Sequence, residues 1–323
     1  MISFETVLAA VLPVYLLCGL GAVLRRSEVL PAAMEGGLLK VSIHILYPCL
    51  ILDKVLGNDL ILKPAVVGWG IGVGLLCAVL GYGVSWMIGS LLGMKAGTGR
   101  RSFTLAGGVQ NYGYTAIPVL AALFVEAGGS DRVLGLLFIH SLGIEIALWV
   151  VGILILTGSI ADSRKFLLNG PIVAVVAGLV VSYTGVWQWL EPDGPLLGAV
   201  IRQVMNWLGQ CAFPVALLLI GGMLMDLAGK EKLDLKVAAG GVIVRNVAMA
   251  FVILALAKYL PVIEELKQVL VVQAAMPAAM TPILMTRLYG GRPQVAVQVV
   301  LATSIFSLVT MPLIVAFGVK WVL

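Results

Sequence analysis

Residues 107–124 read GGVQNYGYTAIPVLAALF, and this stretch decides the fold. It lies in apolar sequence long enough to cross a bilayer, yet Gly107, Gly108, Gln110, Asn111, Gly113, Thr115 and Pro118 fall in its middle. A span that only anchored the chain would have no use for these residues. Outward from it, apolar runs recur along all 323 residues: 61% are hydrophobic, 11% are charged and the mean hydropathy is +1.08. An ordinary soluble domain carries about 25% charged residues, so lipid is the expected solvent for most of this chain.

A bilayer span takes about 20 largely apolar residues. Candidate spans are 6–24, 38–56, 64–92, 103–125, 132–157, 167–187, 202–226, 236–259, 266–289 and 295–319. The expected fold is an all-α integral membrane protein with ten transmembrane helices. Glu5 precedes the first apolar run and Arg25 and Arg26 follow it, the reverse of a cleaved signal peptide, so the first span is expected to be retained. Lys and Arg divide unevenly between the loops. The odd-numbered loops hold twelve, among them Arg25, Arg26, Arg100, Arg101, Arg164, Lys165, Lys230, Lys232 and Arg292, and the even-numbered loops hold six. By the positive-inside rule both termini are then non-cytoplasmic, in a multi-pass protein of the inner (plasma) membrane. The formal charge of +5 reads as this orientation signal. Basic and aromatic residues do not interleave as on a nucleic-acid surface, so no nucleic-acid partner is expected. Cys18, Cys49, Cys77 and Cys211 lack paired or CxxC spacing and read as small core residues, with no metal and no cofactor.

Ten helices divide into two fives, 1–160 and 161–323. Pro48 in ILYPCLIL precedes Pro118 by 70 residues, and Pro214 in CAFPVALL precedes Pro282 by 68. Because five is odd, the second repeat would enter the membrane inverted, as in secondary transporters with discontinuous helices near the midplane. The ninth span, QAAMPAAMTPILMTRLYGG (273–291), supplies the partner to the opening stretch, with Pro277 and Pro282 each removing a helix donor. Broken backbone at that depth is tolerated only inside protein or beside water. If spans four and nine break near Pro118 and Pro282 and cross, half-helix N-termini would aim free N–H groups at a site suited to a carboxylate. A single proline would read as a plain kink; two at matching positions, one beside Gln110 and Asn111, read as a crossover. Asn111 is either interhelical glue or a cavity residue, and Tyr112 and Tyr114 are either packing residues or aromatic walls.

At these residues the chain resembles the auxin efflux carrier family. NYGYTAIPVL is similar to that family's Asn-to-Pro crossover segment, and residues 273–312 to its last two helices, while LLNGPIVAVVAGL extends the likeness to the start of the second half. The long hydrophilic loop of the plant carriers is missing, which resembles the compact prokaryotic branch. The resemblance implies a scaffold of helices 1, 2, 6 and 7, a transport core of helices 3–5 and 8–10, broken crossover helices 4 and 9, an elevator-type movement and a homodimer. It also implies a small organic anion such as malonate or malate, with Asn111 matching the binding asparagine. The candidate binding set is Gln110, Asn111, Tyr112, Gly113, Thr115, Gln273 and Thr281, beside the crossover prolines Pro118, Pro277 and Pro282.

Two charges at membrane depth stand apart. Glu145 lies midway along the fifth span and Arg245 midway along the eighth. Either they pair, or Arg245 faces the anion while Glu145 takes a proton or helps bind a cation. Proton coupling, sodium coupling and uniport stay open. The rival readings are a sodium-coupled carrier of the bile-acid type and a receptor that binds an anion without moving it. With no P-loop, HExxH or GxSxG, an enzyme is the least supported class.

Overall fold

In the computed structural model the described residues are 4–95, 97, 99–124, 129–159, 170–191, 193–228 and 234–323. The orienting cations Arg164, Lys165, Lys230 and Lys232, residues 167–169 of the sixth span and the boundary between 160 and 161 lie outside them. Every regular element among the described residues is helical: α1 (Phe4–Arg26), α2 (Ala32–Val41), α3 (Tyr47–Val55), α4 (Pro64–Leu91), α5 (Arg100–Gly108), α6 (Ala116–Leu123), α7 (Gly129–Ala147), α8 (Ile153–Thr157), α9 (Gly170–Thr184), α10 (Leu196–Gln210), α11 (Ala212–Ala228), α12 (Leu235–Val242), α13 (Met249–Tyr259), α14 (Glu264–Ala275), α15 (Thr281–Leu288) and α16 (Pro293–Val322), with a short 3₁₀ turn at Val186–Leu190. Among the described residues, six helical stretches are long and apolar enough to cross a membrane: Phe4–Arg26, Pro64–Leu91, Asp131–Thr157, Leu196–Asp226, Leu235–Tyr259 and Pro293–Val322. The chain is a multi-pass integral membrane protein.

Several helices carry one wide π turn. Ser42–Leu46 joins α2 to α3, Leu148–Gly152 joins α7 to α8 and Ile243–Ala248 joins α12 to α13. The first comes just before Pro48, whose missing N–H and ring cannot fit a regular turn. Pro214 lies in the first turn of α11, just past a step in the helix at Cys211.

Lipid-facing and packed stripes separate cleanly on α1. Leu8, Leu12, Leu16 and Leu20, four residues apart, are exposed, while Val7, Val11 and Val14 are buried against α11 and its neighbours. Helices approach most closely at glycine. A Cβ on Gly74 of α4 would collide with the His140 carbonyl of α7, and one on Gly143 of α7 with the Ile71 carbonyl of α4. Gly70 and Gly74 are buried packing positions, as expected of the α4 glycines. Gly68 and Gly72 face open space and are not.

Packing sorts the helices into two groups. One joins α1 to α11 and α3 to α9 and α10; the other joins α4 to α5 and α7, α13 to α14, and α16 to α5, α12 and α14. Polar ties sort the loops by end. Arg25 bridges Glu35 and Asp226 at 2.6 and 3.1 Å, the Asp234 N–H donates to Gln298, the Arg292 N–H to Ser102, and Arg101 to the Leu156 carbonyl. These bonds gather the odd-numbered loops at one end. At the other end Lys54 bridges Asp53 and Asp131, both at 2.9 Å, Arg132 reaches Asp59 and Glu265, and Arg202 reaches Asp53. At that end three of the six cations, Lys54, Arg132 and Arg202, pair with acids, and by sequence the odd-numbered loops hold the larger share of Lys and Arg.

Candidate functional site

The fourth and ninth helices of the sequence reading are both interrupted. Helix α5 stops at Gly108 and α6 starts at Ala116; α14 stops at Ala275 and α15 starts at Thr281. Proline at 277 forces Met276 out of the helical region, to φ −71° and ψ 139°, and Val109 is likewise extended. The two extended pieces pair antiparallel, with Gln110 opposite Ala278. The Asn111 N–H donates to the Pro277 carbonyl at 2.7 Å, the Ala279 N–H to the Val109 carbonyl at 2.9 Å, and the Ala278 N–H to Thr303 Oγ1 at 3.1 Å.

This corrects the sequence reading in two respects. Much of the backbone freed by the breaks is satisfied by the opposite break, because an unpaired amide at this depth is costly. The breaks also precede the prolines. Pro118 is the third residue of α6 and Pro282 the second of α15, first-turn positions where the absent N–H costs no helical bond. Pro277 alone lies within an interruption. Pro282→Ala is accordingly expected to keep the fold and lower stability by only about 0.4–1 kcal/mol, through the freer unfolded chain, as thermal unfolding in detergent would report.

Beside the first interruption lies a narrow cleft of about 20 Å³, room for little more than one water. Tyr47 and Ile51 of α3 and Pro171, Ile172 and Val175 of α9 form one wall; Tyr112, together with Phe138, Ser141, Leu142 and Glu145 of α7, forms the other. The Tyr47 ring packs on Tyr114 at 5.0 Å and edge-on to Phe138 at 5.9 Å between centroids. Tyr112 donates its hydroxyl to Glu145 Oε1, and Trp149, one turn along the same helix, donates Nε1 to Oε2 at 2.7 Å. Gln273 of α14 donates to the Tyr112 carbonyl at 2.9 Å, so the second interrupted helix braces the aromatic residue of the first.

The predicted residues divide accordingly. Tyr112 and Glu145 line the cleft. Asn111 and Gly113 flank Tyr112; the Asn111 amide donates to Thr115 Oγ1 at 3.0 Å, and the space above Gly113 is filled by the Tyr47 hydroxyl. Gln110 and Gln273 are fully buried and face the protein interior. Thr281 opens α15, half-buried, and is not among the cleft residues. Sequence reasoning missed Tyr47, Phe138, Ser141, Pro171 and Trp149. Two signals were available: Tyr47 adjoins the repeat proline Pro48, and Trp149 stands at i+4 from Glu145.

Glu145 and Arg245 do not pair. Glu145 takes its bonds from Tyr112 and Trp149, whereas Arg245 is 0% exposed and donates Nε to the Met276 carbonyl at 3.1 Å. Arg245 is not among the residues that line the cleft either. His140 is fully buried, one turn and more from Glu145, and takes no part in the cleft.

Comparison with curated proteins found no match. A family profile described as membrane transport protein matches residues 6–165 and 155–315, nearly the whole chain. The chain belongs to this family, the auxin efflux carrier and membrane transport protein family, and is a membrane transporter.

Proposed function

We propose that the chain is a secondary carrier of small organic anions, carboxylates such as malonate or malate, working by elevator-type alternating access. One observation carries this reading: the cleft is walled on one side by α3 and α9 and on the other by α7 and the interruption between α5 and α6. Its present volume admits no carboxylate, so binding requires the two walls to part. Parting of two packed helix groups about a fixed site is how such carriers alternate access. Helix N-termini at Ala116 and Thr281 start at the crossing, where their dipoles favour a negative charge.

The same reading takes ten spans as two inverted repeats divided near residue 160. Packing supports it: shifting each span by five exchanges the α1–α11 contact with α9–α3, α4–α7 with the α12/α13–α16 contact, and α5–α16 with α14–α7. The scaffold is then α1–α3 and α9–α11, and the core α4–α8 and α12–α16. Both termini lie on the non-cytoplasmic face of the inner membrane, since the cation surplus marks the other end, and two copies meet through their scaffolds as a homodimer.

The test is exchange. Purified protein in liposomes preloaded with unlabelled malonate is expected to take up labelled malonate faster than empty liposomes. A panel of mono- and dicarboxylates that bind, by thermal shift, but never exchange would replace the carrier with a receptor.

A further inference from the structure

Arg245 is a cation buried without an acid. Its side chain is 0% exposed, it forms no ion pair among the described residues, and neither Nη1 nor Nη2 has a hydrogen-bond partner among them. Such a charge is costly in a membrane unless something nearby offsets it. The offset lies in the backbone. Helices α5 and α14 both end at the crossing, at Gly108 and Ala275, so two negative C-terminal ends converge there with carbonyls that no helical bond satisfies. Arg245 Nε donates to the first carbonyl past α14, that of Met276, at 3.1 Å.

Its neighbours hold the crossing in the same way. Arg245 and Asn246 both lie on the wide turn Ile243–Ala248, which presents consecutive side chains to the interior. Asn246 donates to the Thr303 carbonyl at 3.5 Å and to Thr310 Oγ1 at 3.0 Å, and Thr303 Oγ1 in turn accepts the Ala278 N–H. One turn of the eighth helix thus grips both the carbonyl before Pro277 and, through Thr303, the amide after it.

In carriers with discontinuous helices, half-helix C-termini and unwound carbonyls are where a coupling sodium ion or proton is held. Here a guanidinium already occupies that electrostatic position and cannot leave it. We propose that Arg245 is a tethered cation that substitutes for a coupling cation at the crossing, so this chain binds and transports without sodium. It is a positioning residue, acting on the interrupted backbone and touching no substrate.

The experiment has a thermal arm and an exchange arm. Only the exchange arm depends on the carrier reading. In detergent, wild-type protein is expected to unfold at the same temperature in sodium chloride and in choline chloride. Arg245→Met is expected to unfold at a lower temperature and to recover part of the loss with millimolar guanidinium or sodium, in a saturable manner, as a ligand bound only by the native state requires. Arg245→Lys is expected to keep most of the stability because it keeps the charge. In liposomes, wild-type malonate exchange is expected to be equal in sodium and choline buffers, and Arg245→Met exchange to be lost. A saturable sodium-specific rise in the wild-type unfolding temperature would overturn the proposal, as would wild-type exchange that needs sodium. Equal loss of folding in Arg245→Met and Arg245→Lys would also overturn it, since the role would then be shape and not charge. Absence of wild-type malonate exchange with the thermal pattern intact would count against the carrier reading with that substrate and leave the tethered cation supported.

Discussion

Gly113→Val is expected to lower exchange by roughly 100-fold while leaving the protein folded, the scale of loss that a displacement of about 1 Å at a reacting or binding centre produces. A Cβ at residue 113 would overlap the hydroxyl of Tyr47, which is held in place by Tyr114 and Phe138. Gly113 belongs to the interruption between α5 and α6, and Tyr47 to α3, so the collision falls on the boundary across which the proposed elevator movement would slide. Under that proposal, a wall that yields by separating α3 from α7 leaves the cleft permanently parted and loses the alternation. Exchange and thermal unfolding measured on one preparation check this. Removing the colliding oxygen with Tyr47→Phe in a Gly113→Ala background is expected to restore part of the exchange, a coupling that two independent sites would not give.

Gly143→Val should act on stability and not on transport alone. The Cβ would meet the Ile71 carbonyl of α4, and backbone, unlike a side-chain tip, cannot rotate aside. Overpacking a well-packed interior costs about 1–3 kcal/mol and occasionally more, and this contact lies between two rigid helices, so the upper part of that range or beyond is expected. The protein should unfold several degrees earlier or fail to assemble. By contrast Gly72→Val, on the same helix as Ile71 but facing open space, should leave the unfolding temperature nearly unchanged.

The breaks themselves were legible in the sequence because Gly107, Gly108, Gln110, Asn111, Pro277 and Pro282 are poor choices for an uninterrupted lipid-facing helix. Their exact place was not. Proline marks the start of a helix as readily as its end, and Pro118 and Pro282 sit in first turns, after the breaks. Gln110 and Gln273 read as binding candidates because amides at membrane depth invite that reading. Folding buries both, and Gln273 donates to the Tyr112 carbonyl. Glu145 and Arg245 stood out as buried charges, but each found partners from segments far away in the chain, Tyr112 and the Met276 carbonyl, which no local spacing announces. Tyr47 and Pro171 belong to the opposite wall, which only tertiary packing brings to the cleft.

Among the described residues, polar ties group the loops by parity. The bonds from Arg25 to Asp226, Arg292 to Ser102 and Arg101 to the Leu156 carbonyl hold one set of loops together, and Lys54 to Asp131 and Arg132 to Glu265 hold the other.

The most direct measurement is malonate counterflow with Asn111→Ala beside wild type. Asn111 is tied into the crossing by its backbone, through the Pro277 carbonyl, so truncating its side chain removes only the bond to Thr115 and whatever the amide offers to a ligand. Strong wild-type exchange that falls to background in Asn111→Ala, at an unchanged unfolding temperature, is the predicted result. Full exchange in a folded Asn111→Ala protein would contradict the assignment of the substrate site to the interrupted helices.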